Sequence, residues 1–386
     1  MIAPKLRFSE FKDEWFETTL NNLSNKIGDG LHATPKYDEN GEIPFINGNN
    51  LINGKIVINE STKLINSDEF KKYNQKFSNN SIFLSINGTI GNIAFYNSES
   101  ILLGKSVCFI DLSESSNKNL IYYILQSPVL ISKFEKELTG TTIKNLSLAT
   151  VRNTKFLLPN LKEQTKIAEF LSAVDDKISQ LSRQLELLNQ YKKGVMQKIF
   201  SQEIRFKNDN GEDFEEWENS FIGNECKITT GNKDTQNKID DGIYPFFVRS
   251  QTVERINSYS MDCEAILTSG DGVGVGKNYH YINGKFDFHQ RVYCLYDFSE
   301  RLNGKYLFIY FSQFFFDRVK RLSAKNSVDS VRMDMISKME IKLPSTPEQE
   351  KIAGFLTAID ERIDHTTAQL TYTKQWKKGL LQQMFV

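Results

Sequence analysis

Apolar positions are most regular between Leu161 and Phe200. There Ile167, Leu171, Val174, Ile178, Leu181, Leu185, Leu188, Val195 and Ile199 recur at alternating spacings of four and three, skipping only Lys192. This is the a/d seam of a coiled coil, and it predicts one helix roughly 60 Å long at 1.5 Å per residue. The stretch returns at the C-terminus. Gln164 matches Gln349, Ile167 Ile352, Asp175 Asp360, Leu185 Leu370 and Lys192-Lys193-Gly194 Lys377-Lys378-Gly379, at a constant offset of 185. In the second copy Ile352, Leu356, Ile359, Ile363, Leu370, Leu380 and Met384 keep the register, while Thr366, Thr373 and Lys377 interrupt it. Asn160 with Glu163, and Ser345 with Glu348, have capping-box spacing at the two helix starts. Two such helices in one chain are expected to pair antiparallel and bury both seams; the alternative is that each packs only on its own domain.

Between the helices the pattern changes to short apolar runs bounded by glycine, and these repeat as well. KLRFSEFKDEWFETTL (5–20) is echoed by EIRFKNDNGEDFEEWENSFI (203–222), so each half opens on the same segment, expected to be an apolar clasp. GEIPFINGNNLI (41–52) matches DGIYPFFVRSQTVE (241–254), each a strand followed by a polar turn. SIFLSINGTIGNIAFYN (81–97) matches AILTSGDGVGVGKNYHYIN (265–283), a strand, a glycine-rich turn and a second strand. An aromatic helical stretch follows in each half, 119–138 and 305–322, then a polar loop (139–153 or 323–337) and a strand ending at Pro159 or Pro344. The prediction is α+β: two mixed globules, residues 1–159 and 202–343, separated by long antiparallel coiled-coil helices, 160–201 and 344–386, and related by a pseudo-two-fold.

A chain of 386 residues is long enough for two cored domains. No apolar run approaches a bilayer span and the N-terminus lacks a signal-peptide core, so a cytoplasmic protein is expected. Cys108, Cys226, Cys263 and Cys294 show no metal-ligand spacing, and His32, His280, His289 and His365 form no i, i+4 pair, so neither a disulfide framework nor a metal site is indicated. Lys plus Arg and Asp plus Glu both number 48, and the four segments carry net charges of +1, +2, −3 and 0 in chain order. The strong positive charge of a protein that binds nucleic acid unaided is missing.

Catalytic motifs fail on context. Gly270 to Gly276 looks like a nucleotide-binding turn but precedes another strand instead of opening a helix. Gly104-Lys105-Ser106 lacks the P-loop glycine five positions before Gly104, where Glu99 stands, and is a chance match. The polar turns at matched places are better suited to recognition. Arg249, Ser250 and Gln251 include the side-chain types that read guanine and adenine edges, and Asn47, Asn49 and Asn50 are the amides in the corresponding turn. Thr141, Thr142, Lys144 and Asn145, with Lys325, Asn326, Ser327 and Ser330 opposite them, mix base-edge and phosphate donors. Ser85, Asn87 and Thr89, with Lys277 in the second half, complete the candidate DNA contacts on the glycine-rich turns. The plainer alternative is that Asn, Ser and Gly there only serve turn geometry. On the helices Lys192, Lys193, Gly194, Lys377, Lys378 and Gly379 are the candidate partner contacts. A mid-helix glycine costs about 1 kcal/mol against alanine, so its recurrence points to close approach by a partner or to inheritance through duplication.

Over essentially its whole length the chain resembles a specificity subunit of a type I DNA restriction-modification enzyme. The resemblance rests on Gly30 to Pro35, Ile43-Pro44-Phe45, Ser85 to Gly91, and above all Leu157-Leu158-Pro159 with Glu163-Gln164, Ile167-Ala168 and Phe170-Leu171. The second half repeats the last block as Lys342-Leu343-Pro344, Glu348-Gln349, Ile352-Ala353 and Phe355-Leu356. It implies two target-recognition domains, each reading one half of a bipartite, asymmetric double-stranded DNA target, with the helices fixing the spacer. It implies no catalysis and no cofactor in this chain. Two modification subunits that bind S-adenosylmethionine, and restriction subunits using ATP and Mg, would bring the chemistry. The rival reading is a helical scaffold with two protein-binding globules.

Overall fold

The computed structural model describes residues 4–73, 75–140, 144–272, 274–323 and 330–386. The chain divides into two compact units, one of residues 1–184 with 366–386, the other of residues 185–365. Each contains one globule and part of each of the two long helices, Leu161–Phe200 and Thr346–Met384.

Every residue of the predicted seam is buried or half-buried. In the first unit Ile167, Ala168, Leu171 and Val174 form one core with Leu380, Leu381 and Met384. In the second Met196, Ile199 and Phe200 do so with Ile352, Leu356 and Ile359. The helices run antiparallel within the first unit. Leu6 N donates to Gln383 O while its neighbour Arg7 bonds Glu163, and twelve residues on Asp175 meets Lys377 at 2.7 Å. The second unit holds the equivalent pair, Lys192 with Asp360. The seam position that the apolar pattern skips is therefore filled by a lysine whose charge meets an aspartate of the facing helix. Tyr123 and Gln126 also turn to the Lys377–Asp175 pair, and burial pushes the Tyr123 phenol well up. Lys192 and Lys377 are thus committed inside the chain, whereas Lys193 and Lys378 are exposed. Gly194 and Gly379 face open space: a Cβ on either would meet nothing within 4 Å, so the chain itself makes no close backbone approach to them.

The opening segment of each half is the expected apolar clasp with a buried ion pair added to it. Arg7 Nε and Nη2 both lie 2.7 Å from the Glu163 carboxylate, and Trp15 Nε1 donates to the same group at 3.3 Å. Arg205 and Trp217 hold Glu348 likewise, each at 2.9 Å. Both glutamates are fully buried. Their carboxylates therefore face the clasp, so the capping boxes are incomplete: Asn160 Oδ1 accepts from Glu163 N at 3.0 Å, but Ser345 Oγ makes no hydrogen bond among the described residues. Apolar rings complete the clasp, Phe8 on Phe170 and Phe206 on Phe355. Behind the tryptophans, strand Phe16–Thr19 pairs antiparallel with Lys155–Leu158, and Glu218–Phe221 with Glu340–Leu343, closing each globule onto the start of its helix.

The main sheet of the first globule orders Ser24–Asp29, Val107–Leu112, Ser81–Ser85 and Ile93–Phe95. Strand Ile43–Ile46 lies in a separate small sheet, parallel to Leu102–Leu103. In the second globule one long strand, Tyr279–Phe288, replaces both Ile93–Phe95 and Leu102–Leu103. It pairs with Met261–Ser269 from Tyr279 to Phe286 and runs parallel to Tyr244–Phe247 at Asp287 and Phe288, which joins the two into one six-stranded sheet. The aromatic stretch of the first half is two helices, Lys118–Leu125 and Pro128–Lys136. Pro128 cannot continue a helix, and Ser127 caps the new one. The second half has no proline there and forms the single helix Gly304–Leu322.

Candidate nucleic-acid interface

Four polar segments far apart in sequence meet in each globule, and main-chain bonds bring them together. In the first unit Ile86 N donates to Ser106 O (2.9 Å), Leu146 N to Ile86 O (2.8 Å) and Gly104 N to Ile46 O (2.9 Å). In the second, Gly270 N donates to Arg291 O (2.8 Å), Val331 N to Gly270 O (2.7 Å) and His289 N to Phe247 O (2.9 Å). The bonds are the same, so positions correspond: Ile86 to Gly270, Asn87 to Asp271, Ser106 to Arg291, Leu146 to Val331. A fifth loop joins through a close backbone approach at Gly30 and Gly231, where a Cβ would lie 2.3 Å from Gly104 O and 2.0 Å from Phe288 O. Only glycine fits there.

The predicted contacts separate into two kinds. In the first unit Asn49, Thr89 and Lys144 are exposed on the turn cluster. Asn50 and Ser85 are buried. Asn50 receives Asn47 N and donates to Val57 O and Thr62 Oγ1, each at 3.0 Å, while Ser85 Oγ receives Asn92 N at 2.8 Å; both side chains hold the turns together. Asn47 accepts from Ser106 Oγ at 3.0 Å, and Asn87 donates to Asn145 at 3.3 Å, so these three amides are half-buried supports. In the second unit Arg249, Gln251, Lys277 and Ser330 are exposed. Ser250 Oγ turns back to Thr252 O (2.9 Å), and its own carbonyl receives His280 Nε2 (3.1 Å). Lys277 lies 5.7 Å from the Phe316 ring centroid. Thr141, Thr142, Lys325, Asn326 and Ser327 lie outside the described residues.

Sequence reasoning missed Lys105, Ser106, Asp271, Gln290 and Arg291. The Gly-Lys-Ser triplet set aside as a chance P-loop supplies Ser106, whose hydroxyl receives Gly48 N at 3.0 Å, and Lys105, which is exposed beside it. Carrying the offset of 185 through residues 104–106 would have found their partners His289, Gln290 and Arg291. The charge of the second unit is also unevenly placed. Glu212, Asp213, Glu215, Glu216 and Glu218 sit on the clasp segment, whereas Lys233, Arg249, Lys277 and Arg291 gather at the turns with Asp234 and Asp271.

Two histidines lie behind these turns. Burial holds the pKa of His280 below its usual 6.5, against the opposing bond to Ser250 O. Burial and then the nearby Arg249 do the same for His289, with Asp234 opposing. A base whose folded pKa is depressed contributes stability above its unfolded pKa, and loses it as pH falls from about 6.5 toward the folded value. The second unit is therefore expected to weaken more steeply than the first as pH falls below about 6.5. Hydrogen exchange resolved by unit would show it, and His280→Gln should flatten the slope.

The profile of the type I restriction modification DNA specificity domain matches residues 12–190 and 214–372. The chain therefore belongs to that family, as a DNA-sequence-recognition subunit and not a catalytic one. It is 26% identical to a putative type I restriction enzyme MjaX specificity subunit of Methanocaldococcus jannaschii, over 98% of this chain and 94% of that protein. It is 28% identical to the MjaVIII specificity subunit of the same organism, over 74% and 75%. Its fold superposes on the crystal structure of the type I restriction-modification S subunit from M. genitalium with a TM-score of 0.70 at 16% identity, covering 100% of this chain and 99% of that one. A chain from a structural study of type I complex assembly and conformational transition superposes at 0.55, also at 16% identity, over 95% and 96%. Nothing in these likenesses supports the rival scaffold reading.

Proposed function

We propose that residues 1–159 and 202–343 each read one half of a bipartite DNA target through the turn clusters, while helices 160–201 and 344–386 fix the spacer and dock two modification subunits. The observation that carries this is the pair of clusters: the same main-chain bonds assemble the same turns in each unit, and different side chains stand on them. Exposed Asn49, Thr89, Lys105 and Lys144 serve the first half-site and Arg249, Gln251, Lys277 and Ser330 the second. Docking on the helices is supported by exposed apolar residues at matched places, Leu187 and Tyr191 on one copy, Tyr372 and Trp376 on the other, beside exposed Lys193 and Lys378. The modification subunits would bring S-adenosylmethionine and much of the phosphate affinity, and restriction subunits ATP and Mg. The complex would work in the cytoplasm; among the described residues no helix is long and apolar enough to cross a membrane.

Single-molecule sequencing for methyladenine, in cells expressing this chain with its modification partner, tests the proposal. A new bipartite motif with a fixed spacer, absent with the partner alone, is the expected result. Stable co-purification without any motif would refute it.

A further inference from the structure

At three corresponding backbone positions the two clusters carry opposite chemistry. The first unit has Gly48, Asn87 and Ser106, all neutral, with Ser106 Oγ bonded to Asn47 and Gly48. The second has Arg249, Asp271 and Arg291. Arg249 Nη1 lies 3.0 Å from Asp271 Oδ1, and Arg291 Nη1 lies 3.3 Å from Asp271 Oδ2. One carboxylate, 20% exposed, thus holds two guanidiniums that are 45% and 64% exposed.

The carboxylate itself is fixed. Residue 271 bridges to Ser330, and Gly272 follows in the left-handed conformation (φ 81°), which glycine adopts without strain. The backbone of Arg249 is tied as well, because Asn278 Nδ2 donates to Arg249 O at 3.2 Å. Among the described residues, Nη2 and Nε of Arg249 make no hydrogen bond, so a planar pair of donors stays available on a side chain that has already lost much of its freedom. A positioned guanidinium offering two parallel donors matches O6 and N7 of guanine in the major groove, the commonest specific arginine contact. A phosphate contact would gain nothing from an adjacent carboxylate, which repels the backbone.

We propose that Arg249 and Arg291, positioned by Asp271, read guanine in the half-site bound by the second unit. The inference rests on the DNA-reading function proposed above. Asp271 is a positioning residue: it sets the direction of both arginines and offsets their mutual repulsion.

The test uses the full chain in complex with its modification partner. Its motif is first determined by methyladenine sequencing, then binding is measured with 7-deazaguanine, which lacks the N7 acceptor, placed at each guanine in turn. The expected result is a guanine in one half-site where 7-deazaguanine weakens binding about five- to a hundredfold. Arg249→Ala or Arg291→Ala should relax the motif at that position and remove the penalty of the analogue. Asp271→Asn should weaken discrimination there, and Asp271→Glu should restore part of it. The other half-site, unchanged in all variants, reports that the complex remains assembled. The proposal is overturned if no guanine responds to the analogue. It is equally overturned if both alanine variants weaken all sequences alike and only flatten the salt dependence, as phosphate contacts do. Absence of any motif would instead refute the DNA-reading function itself.

Discussion

Glu348→Ala is expected to destabilise the second unit by about 3–5 kcal/mol, the usual result of removing one partner from a buried ion pair. Glu348 is fully buried and receives both Arg205 and Trp217, so the variant strands a guanidinium and an indole N–H at once. For a unit of this size the melting transition should fall by about 10 °C. Glu163→Ala should do the same to the first unit, where Arg7 and Trp15 lose their acceptor. Calorimetry with hydrogen exchange would assign each loss to its unit. Glu348→Gln keeps an acceptor and should cost less, while Arg205→Leu with Glu348→Leu should recover much of the loss by leaving no charge buried. If Glu348→Ala melts like the parent, the clasp is not what closes the globule onto its helix.

Replacing residues 1–159 by the corresponding segment of a divergent relative should change one half of the methylated motif and leave the other half and the spacer intact. The effect is large, because specific sites are typically bound about 10³- to 10⁷-fold more tightly than random DNA. The exchange ends before Glu163, so the incoming segment must bring an arginine and a tryptophan at the places of Arg7 and Trp15. Methylation of the original sequence by the hybrid would show that the first globule does not read DNA.

The helices and the duplication were legible because they rest on periodicity, which a sequence displays directly. The seam residues proved buried or half-buried through Ile199, and even Lys192 kept its place by pairing with Asp360. The apolar side of the clasp was legible, but its ion pair was not, because Glu163 and Glu348 stand at a spacing that fits a capping box equally well, and local spacing cannot reveal a partner over a hundred residues away. The turn sites were half legible. Their polar side chains and recurrence marked loops that meet in the structure, but the bonds that assemble them are main-chain bonds without a side-chain signature. Hence the sequence could not tell that Asn50 and Ser85 are buried and bonded within the turns. Arg291 went unnoticed because the turn that carries it is a chance P-loop look-alike in the other half.

Those main-chain bonds act like a typesetter's frame that grips every piece of type by its shank and leaves the face free. Lys105 in one unit and Gln290 in the other, both exposed, are letters set in the same slot. Exchanging a letter breaks none of the bonds that lock the frame. On the proposed reading, new targets are reachable by a few substitutions at the surface, whereas a side chain at Gly30 or Gly231 would jam the frame itself.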